Sequence, residues 1–523
     1  MLLNLPELRV FLTVFLLALA HAGDVVYASN AGGPDHSFGT NGLVSTEFGG
    51  AFDGVNAILA QPDGKILAMG TGGPSNRCAL ARYLPNGMLD ESFSTDGKII
   101  FDQSLSCSGL AVGPSGTVYA GMGYATLIDS DRGYQVVRLD DQGNFDASFG
   151  VGGRARAFMG TQPRVTGLAV QSDGKIVAAG WSYFNGEWNW GLARFHENGA
   201  IDASFAGGTV ITDVNNGSMD RLEGLLIQPD DKTVVGGTTE DAMGRDVHAL
   251  ARYNTDGELD TTFGAGGKVI LPYMATFAGE YISGLLLLPD GKILACGTGS
   301  HVDSILERFH ADGSLDDSFG DHGRVVVEMG IQNNGFAGIV LDRAGRIVAG
   351  GTATSGNISR PALARFSFDG VLDPTFGDQG KVFLSWGGSY EYGGRVALAS
   401  DGHVLMGGAS GTANVDTDFV VVKRLSEKAN PNDVDDDGVP NAEDNCATVP
   451  NPQQNDFDGD GQGDACDPDI DGDSVDNKTD VCNATPPGAL TQPNGTLRAD
   501  LDGDCDVDLA DFDIMQVEFT GTH

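Results

Sequence analysis

The chain has 523 residues, room for roughly two to four domains and at least one large core, and its formal net charge of −41 excludes a nucleic-acid partner, which would need clustered Lys and Arg. The excess is uneven: residues 430–523 hold about 24 Asp and Glu against about two Lys and Arg, so roughly half of it lies in the last fifth of the chain. Beyond the N-terminus no stretch approaches the about 20 apolar residues that span a bilayer, so no transmembrane segment is expected.

The first element is a leader. Arg9 precedes an apolar run from Val10 to Ala20, broken only by Thr13, and Ala20-His21-Ala22 reads as a small-x-small cleavage site. Residues 1–22 are therefore predicted to be a signal peptide, which makes the protein secreted or held at a cell surface and places its cysteines in an oxidising compartment. In the body of the chain Cys78 and Cys107 form one candidate bridge, and one of Cys78, Cys107 and Cys296 must be left over. In the acidic end Cys446, Cys466, Cys482 and Cys505 make disulfides the default.

Residues 23–426 are predicted to be built from one unit used seven times. LDTTFGAGGKVIL at 259 has relatives at 34, 89, 145, 201, 315 and 372, whose phenylalanines are Phe38, Phe93, Phe149, Phe205, Phe263, Phe319 and Phe376. QPDGKILAMG at 61 and ALARYLPNG at 79 recur in the same order, with a period near 56 residues. Each period carries four strand-like runs divided by Asp-Gly, Asn-Gly and Gly-Gly turns, and no long run of helical period intervenes. Four antiparallel strands repeated radially make an all-β, seven-bladed β-propeller. The array starts with the LDxxFG element and ends one element short, so the N-terminal strand is expected to complete the last blade and remove the sheet edges. An open solenoid is the alternative.

These elements resemble the delta-60 repeat family over about residues 32–425. The resemblance implies architecture; no chemistry common to the family comes with it.

The repeated Arg82, Arg138, Arg194, Arg252, Arg308, Arg365 and Arg424, with Asp90, Asp146, Asp202, Asp260, Asp316 and Asp373, read as blade-building pairs, because a group present in every blade does not mark one site. His196 and His310 fall on turns. The local exception is WSYFNGEWNW at 181–190, read as an inter-strand loop carrying three of the four tryptophans, suited either to binding a sugar or protein or to packing over a propeller face.

The acidic end is read as a row of metal loops. A calcium loop places oxygen ligands at positions 1, 3, 5, 7, 9 and 12 with glycine at 6. Asp433, Asp435, Asp437, Asn441 and Asp444 fit that spacing around Gly438, and Asp456, Asp458, Asp460, Asp464 and Asp467 fit it around Gly461. Asp469, Asp471, Asp473, Asn477 and Asp480 repeat it with Ser474 at 6, and Asp500, Asp502, Asp504, Asp508 and Asp511 with Cys505 at 6. Solvated charge has no reason to keep this register four times. Hard oxygen ligands without His select calcium over zinc as the cofactor.

DVDDDGVPNAEDNCATVPNPQQNDFDGDGQGDACD resembles thrombospondin type 3 repeats, with calcium-loop residues over 427–482. That resemblance implies a calcium-wrapped string of loops with little apolar core and a Cys446–Cys466 disulfide; Cys482–Cys505 would be the next pair. Residues 483–523 resemble one half of a type I dockerin, a calcium loop running into a short helix with Leu509, Phe512, Met515 and Phe519 on one stripe. The dockerin resemblance implies a cohesin-like partner; stacking of the stripe on the neighbouring loops is the alternative.

The function expected from these parts is that of an exported, calcium-binding, non-enzymatic binding or adhesion protein with an extracellular protein or glycan as partner. The rival is a propeller hydrolase or lyase acting on polysaccharide. No Ser-His-Asp set, His cluster or isolated carboxylate pair stands out as catalytic.

Overall fold

The computed structural model describes residues 31–426 apart from 103, 114–115, 126–131, 217–218, 274–279, 300–302, 331, 356–357 and 413–415, and toward the C-terminus residues 439, 442–446, 454–464 and 466–470. The ring is all-β. Seven four-stranded antiparallel sheets follow one another, and among the described residues the one helical element is a 3-10 turn at Ala206–Gly208.

Six blades are four consecutive strands. Blade one, for example, runs Gly54–Ala60, Ile66–Gly72, Arg77–Tyr83 and Lys98–Phe101 from the axis outward. The second and third strands are covered on both faces, which is why they read as continuous small-apolar runs such as ILAMGTG and RCALARY. Asp-Gly turns join inner strand to second strand: Gly64 holds φ at +81°, and the Asp63 carboxylate accepts the Lys65 N–H at 3.1 Å.

The seventh blade is shared between the two ends of the ring. Leu43–Thr46 pairs antiparallel with Asp416–Arg424, Leu43 opposite Val422 and Thr46 opposite Phe419. The predicted closure is thus present, and the solenoid alternative falls.

Between blades the recurring residues act as wedges and clips. All seven repeat phenylalanines have no exposed surface. Gly143 shows why the following turn needs glycine: its φ is +78°, and an added Cβ would meet the Phe93 ring of the preceding blade at 3.0 Å. Arg82 bonds Asp90 at 2.8 Å, lies 4.3 Å from the centre of the Phe93 ring and donates to the Asp141 carbonyl of blade two at 2.7 Å. Arg138–Asp146, Arg194–Asp202, Arg252–Asp260, Arg308–Asp316 and Arg365–Asp373 repeat the pairing. Burial works to raise the Asp90 carboxyl, but the Ser92 hydroxyl and Arg82 more than reverse it and hold it below the usual carboxylate range.

Two local expectations are corrected. Arg424 does not continue the arginine series. Lys423 sits opposite Leu405 as Arg82 sits opposite Leu67, and it pairs with Asp35 at 3.0 Å. The partner aspartate of the seventh copy comes from the N-terminal PDHSFG, so no LDxxFG follows VVKRL to set the register. WSYFNGEWNW is not a loop but the end of a hairpin, Ile176–Phe184 paired with Glu187–Phe195, with Trp181 opposite Trp190 and Tyr183 opposite Trp188.

A disulfide joins Cys78, on the third strand of blade one, to Cys107, on the inner strand of blade two, with Cα atoms 5.1 Å apart. Cys296 is the cysteine left over; it is buried, and burial pushes its thiol up to about 12.

Candidate metal centre

The described part of the acidic end has almost nothing apolar to hold it. Its one buried apolar group is Cys446, and Phe457 is exposed. Polar bonds and a cross-link replace the core. Cys446 and Cys466 form a disulfide with Cα atoms 5.7 Å apart, as the family resemblance implied. Beside it Asn445 takes both strands of the loop in hand. Its N–H donates to Gln454 Oε1 at 2.8 Å, its side-chain amide donates to the Gln454 carbonyl at 3.2 Å, and its carbonyl accepts the Gly463 N–H at 3.0 Å.

Within this frame the carboxylates fold the chain around themselves. Asp456 accepts the Gly459 N–H at 2.8 Å on one oxygen and the Gly461 N–H at 3.1 Å on the other. Asp458 accepts the Asp460 N–H at 3.0 Å, and Asp460 accepts the Gln462 N–H at 2.7 Å. Gly461, at the sixth loop position, holds φ at +96°, a conformation a side chain would strain. The result is a cluster in which Asp456, Asp458 and Asp460 each offer an oxygen within 4.8 Å of the others. Three like charges that close repel, and among the described residues no Lys or Arg pairs with them; a hard cation is the partner that suits an all-carboxylate set.

Of the other predicted ligands, Asp464 accepts the Phe457 N–H at 2.7 Å, Asp467 accepts the Asp469 N–H at 2.8 Å, and Asp444 accepts Cys446 N–H and Gln454 Nε2, both at 2.8 Å. These lie in the same segment but outside the cluster of three. Asp433, Asp435, Asp437, Asn441, Asp471, Asp473, Asn477, Asp480, Asp500, Asp502, Asp504, Asp508 and Asp511 lie outside the described residues, as do the leader, Cys482, Cys505 and the dockerin-like helix.

In the ring, acids and histidines are otherwise occupied. Asp35, Asp401 and His403 form a second close group, but the Lys423 ammonium sits between the two carboxylates and compensates them. His196 and His310 are half-exposed turn residues, 3.5 and 3.7 Å from Asp202 and Asp316. Asp53, Asp220 and Glu391 fix loops at the other end of the blades by accepting backbone N–H groups. Burial raises Asp220 to about 6.

Sequence reading missed a second polar constellation, at the axis. Each of the first six blades has a β-bulge in its inner strand, at Asn56, Ser108, Thr166, Glu223, Ser283 and Ala337 in turn. Only Glu223 carries charge among these. One residue further on stand Ala57, Gly109, Gly167, Gly224, Gly284 and Gly338, but Arg395 in blade seven. Aligning the seven copies column by column, rather than by their shared motifs, is the signal that finds both.

A ring of repeated four-stranded blades followed by a disulfide-tied acidic loop segment defines the class: a β-propeller joined to calcium-type loops. Comparison with known proteins names the parts. A family model described as a domain of unknown function (DUF5122) beta-propeller matches residues 61–93, 171–205, 228–263, 288–319 and 345–376, and the thrombospondin type 3 repeat model matches 431–454 and 455–488. The chain therefore carries DUF5122 beta-propeller repeats followed by thrombospondin type 3 repeats. Cartilage oligomeric matrix protein of Mus musculus is 68% identical over 37 residues, 7% of this chain and 5% of its own length. Thrombospondin-4-B of Danio rerio is 52% identical over 53 residues, 8% of this chain and 6% of its own. The chain thus spans only about a twentieth of these curated relatives. Among solved structures, Sqt1 from Chaetomium thermophilum is 13% identical with a TM-score of 0.37, covering 70% of this chain and 82% of that one. A periplasmic gluconolactonase of Pseudomonas aeruginosa is 15% identical with a TM-score of 0.37, covering 59% and 83%. At those scores neither likeness transfers a function.

Thrombospondin type 3 repeats are calcium-binding and suggest an extracellular protein. Among the described residues no helix is long and apolar enough to cross a membrane.

Proposed function

We propose that this is an exported, non-enzymatic binding or adhesion protein. Its propeller presents the interaction surface to an extracellular protein or glycan, and its C-terminal calcium loops form a stiffened stalk that spaces or attaches the ring. In this reading residues 1–22 are a leader, 23–426 the propeller, 427–482 the thrombospondin type 3-like loops and 483–523 the dockerin-like end, which would take a cohesin-like partner. The four sets of loop carboxylates, from Asp433 to Asp511, are the proposed calcium ligands.

The observation that carries the proposal is the closing of Asp456, Asp458 and Asp460 to within 4.8 Å of one another, inside a segment that matches a calcium-binding repeat. With so many acids and so little apolar surface, the free energy of ion binding becomes folding free energy for the stalk. Extracellular calcium modules bind at about 10⁻⁴ to 10⁻³ M, which sets the range to titrate. Calorimetry and small-angle scattering of the full chain are expected to show calcium heat and a shorter particle in that range, both reversed by chelator, with the melting of the ring unchanged. No calcium heat at millimolar ion, with dimensions identical in chelator, would remove the stalk. Release of new sugar ends from polysaccharide would overturn the non-enzymatic reading.

A further inference from the structure

The blade arginines are all matched: each of Arg82, Arg138, Arg194, Arg252, Arg308 and Arg365 has its own aspartate. Several arginines outside that series have no ion pair with a carboxylate among the described residues, and three of them gather in one place. Arg164 and Arg221 stand near the start of the inner strands of blades three and four, Thr161–Val170 and Arg221–Ile227, with guanidinium carbons 5.1 and 6.0 Å from the centre of the Trp181 ring. Neither has a carboxylate within ion-pair reach among the described residues; the hydrogen-bond contact of Arg221 is the Met219 sulfur. Arg395 reaches from blade seven across the axis to the carbonyls of Ser283 and, at 3.1 Å, of Glu223.

Glu223 lies among these three cations. Burial raises its carboxyl, and Arg395, Trp181, Arg164 and Arg221 are the groups that pull it back toward the charged form. Counting these side chains, three positive charges face one negative, a locally basic spot on a protein of net charge −41. Glu223 and Arg395 share a cavity of about 200 Å³ on the axis with the branched side chains of Ile58, Leu110, Leu168, Leu285 and Ile339. Beside the mouth, Trp181, Trp188 and Tyr183 run along the blade-three hairpin in edge contact, with ring centres 4.8 and 5.2 Å apart, and Tyr183 and Arg164 are exposed.

We propose that this mouth is a binding site for a carboxylate-bearing sugar unit of an acidic polysaccharide, a uronate. The proposal deepens the binding function above and rests on it. The arginines suit the carboxylate, which a guanidinium grips with two parallel N–H bonds. The aromatic strip suits the C–H face of a pyranose ring, and Glu223 suits its hydroxyls. An inorganic anion would use the cations but leave the aromatic strip without a role. A neutral sugar would leave Arg164 and Arg221 unmatched.

The test is calorimetry of the full chain with tetragalacturonate, against maltotetraose and a κ-carrageenan tetrasaccharide, which carries sulfate but no uronate, in chelator so that calcium cannot bridge the acidic end to the ligand. Tetragalacturonate is expected to bind, weakening as salt rises, and maltotetraose not to bind. Arg164→Ala and Arg221→Ala, both at wetted positions, are each expected to weaken binding at least tenfold with the melting temperature unchanged, and Trp188→Ala similarly. Tetragalacturonate binding unaffected by the double arginine variant, or the carrageenan tetrasaccharide bound in preference to it, overturns the site. If the wild type takes other glycans or proteins but no uronate, this site falls and the binding function stands. If the protein binds tetragalacturonate at these residues and also shortens it, the site stands and the non-enzymatic reading falls.

Discussion

The ring and the acidic segment use aspartate in opposite ways. In the ring each repeated carboxylate is consumed at once: Asp316 takes Arg308 at 2.7 Å, Lys292 at 3.0 Å and both the N–H and hydroxyl of Ser318. Its charge is matched from within, beside a phenylalanine wedge that excludes water. In the acidic segment Asp456, Asp458 and Asp460 receive, among the described residues, backbone N–H groups and no Lys or Arg, and an ion is the proposed match for their charge. Same side chain, different partner: one region matches its charge with its own cations, and for the other the proposed match is an ion.

Four experiments would break or sharpen that contrast. The largest effect is expected from deleting residues 32–48, which removes Leu43–Thr46 and Asp35 and exposes the Asp416–Arg424 edge. The ring should lose its cooperative melt and self-associate; a monomer with unchanged melting temperature would contradict closure. Next, Phe263→Ala empties a wholly buried wedge between blades and should cost about 3–5 kcal/mol by denaturant unfolding, with calcium heat unaltered.

Asp316→Asn strands the buried Arg308 and should cost about 3 kcal/mol at neutral pH. The Asp316 carboxyl is held well below its ordinary value: burial raises it, and Ser318, Lys292 and Arg308 outweigh that. A depressed carboxyl contributes stability above its unfolded value of about 3.9 and loses it as pH falls toward the folded value. The variant's deficit should therefore shrink as the pH is taken below about 4, and a constant deficit would show that the pair is not the cause. The smallest effect on the ring, none, is expected from Asp458→Asn, which should remove part of the calcium heat while leaving the ring's unfolding curve superimposable on the wild type.

Architecture was legible because the unit repeats. Phe38 to Phe376 mark seven copies, and the Asp-Gly and Asn-Gly turns between them fix the hairpins. Where a copy departs from its siblings, legibility ends. VVKRL matches ARY by letter but is offset by one, because its aspartate lies at the far end of the chain as Asp35; only pairing shows that Lys423 takes the place of arginine. The tryptophan hairpin looked like a loop because strands that project past a blade carry polar residues where a core strand would not. Glu223 and Arg395 are 172 residues apart and lie on inner strands of blades four and seven, so no local spacing joins them; only the ring does. The grouping of Asp456, Asp458 and Asp460 was legible because the three are nearly contiguous, and the disulfide beside it followed from family resemblance.

The shared seventh blade also sets an order of events during synthesis. Leu43–Thr46 is the first strand to be made, yet its partner, Asp416–Arg424, is the last. Until that partner is made this strand has no strand to pair with, although Val44 and Thr46 can already pack on blade one, while six other blades can form from contiguous chain. Ring closure then joins segments some 370 residues apart, and loop closure over such a distance must be met before the contact rewards it. Blade seven is therefore expected to be the last blade to close, and until then the N-terminal strand is open to pairing with a neighbouring sheet edge.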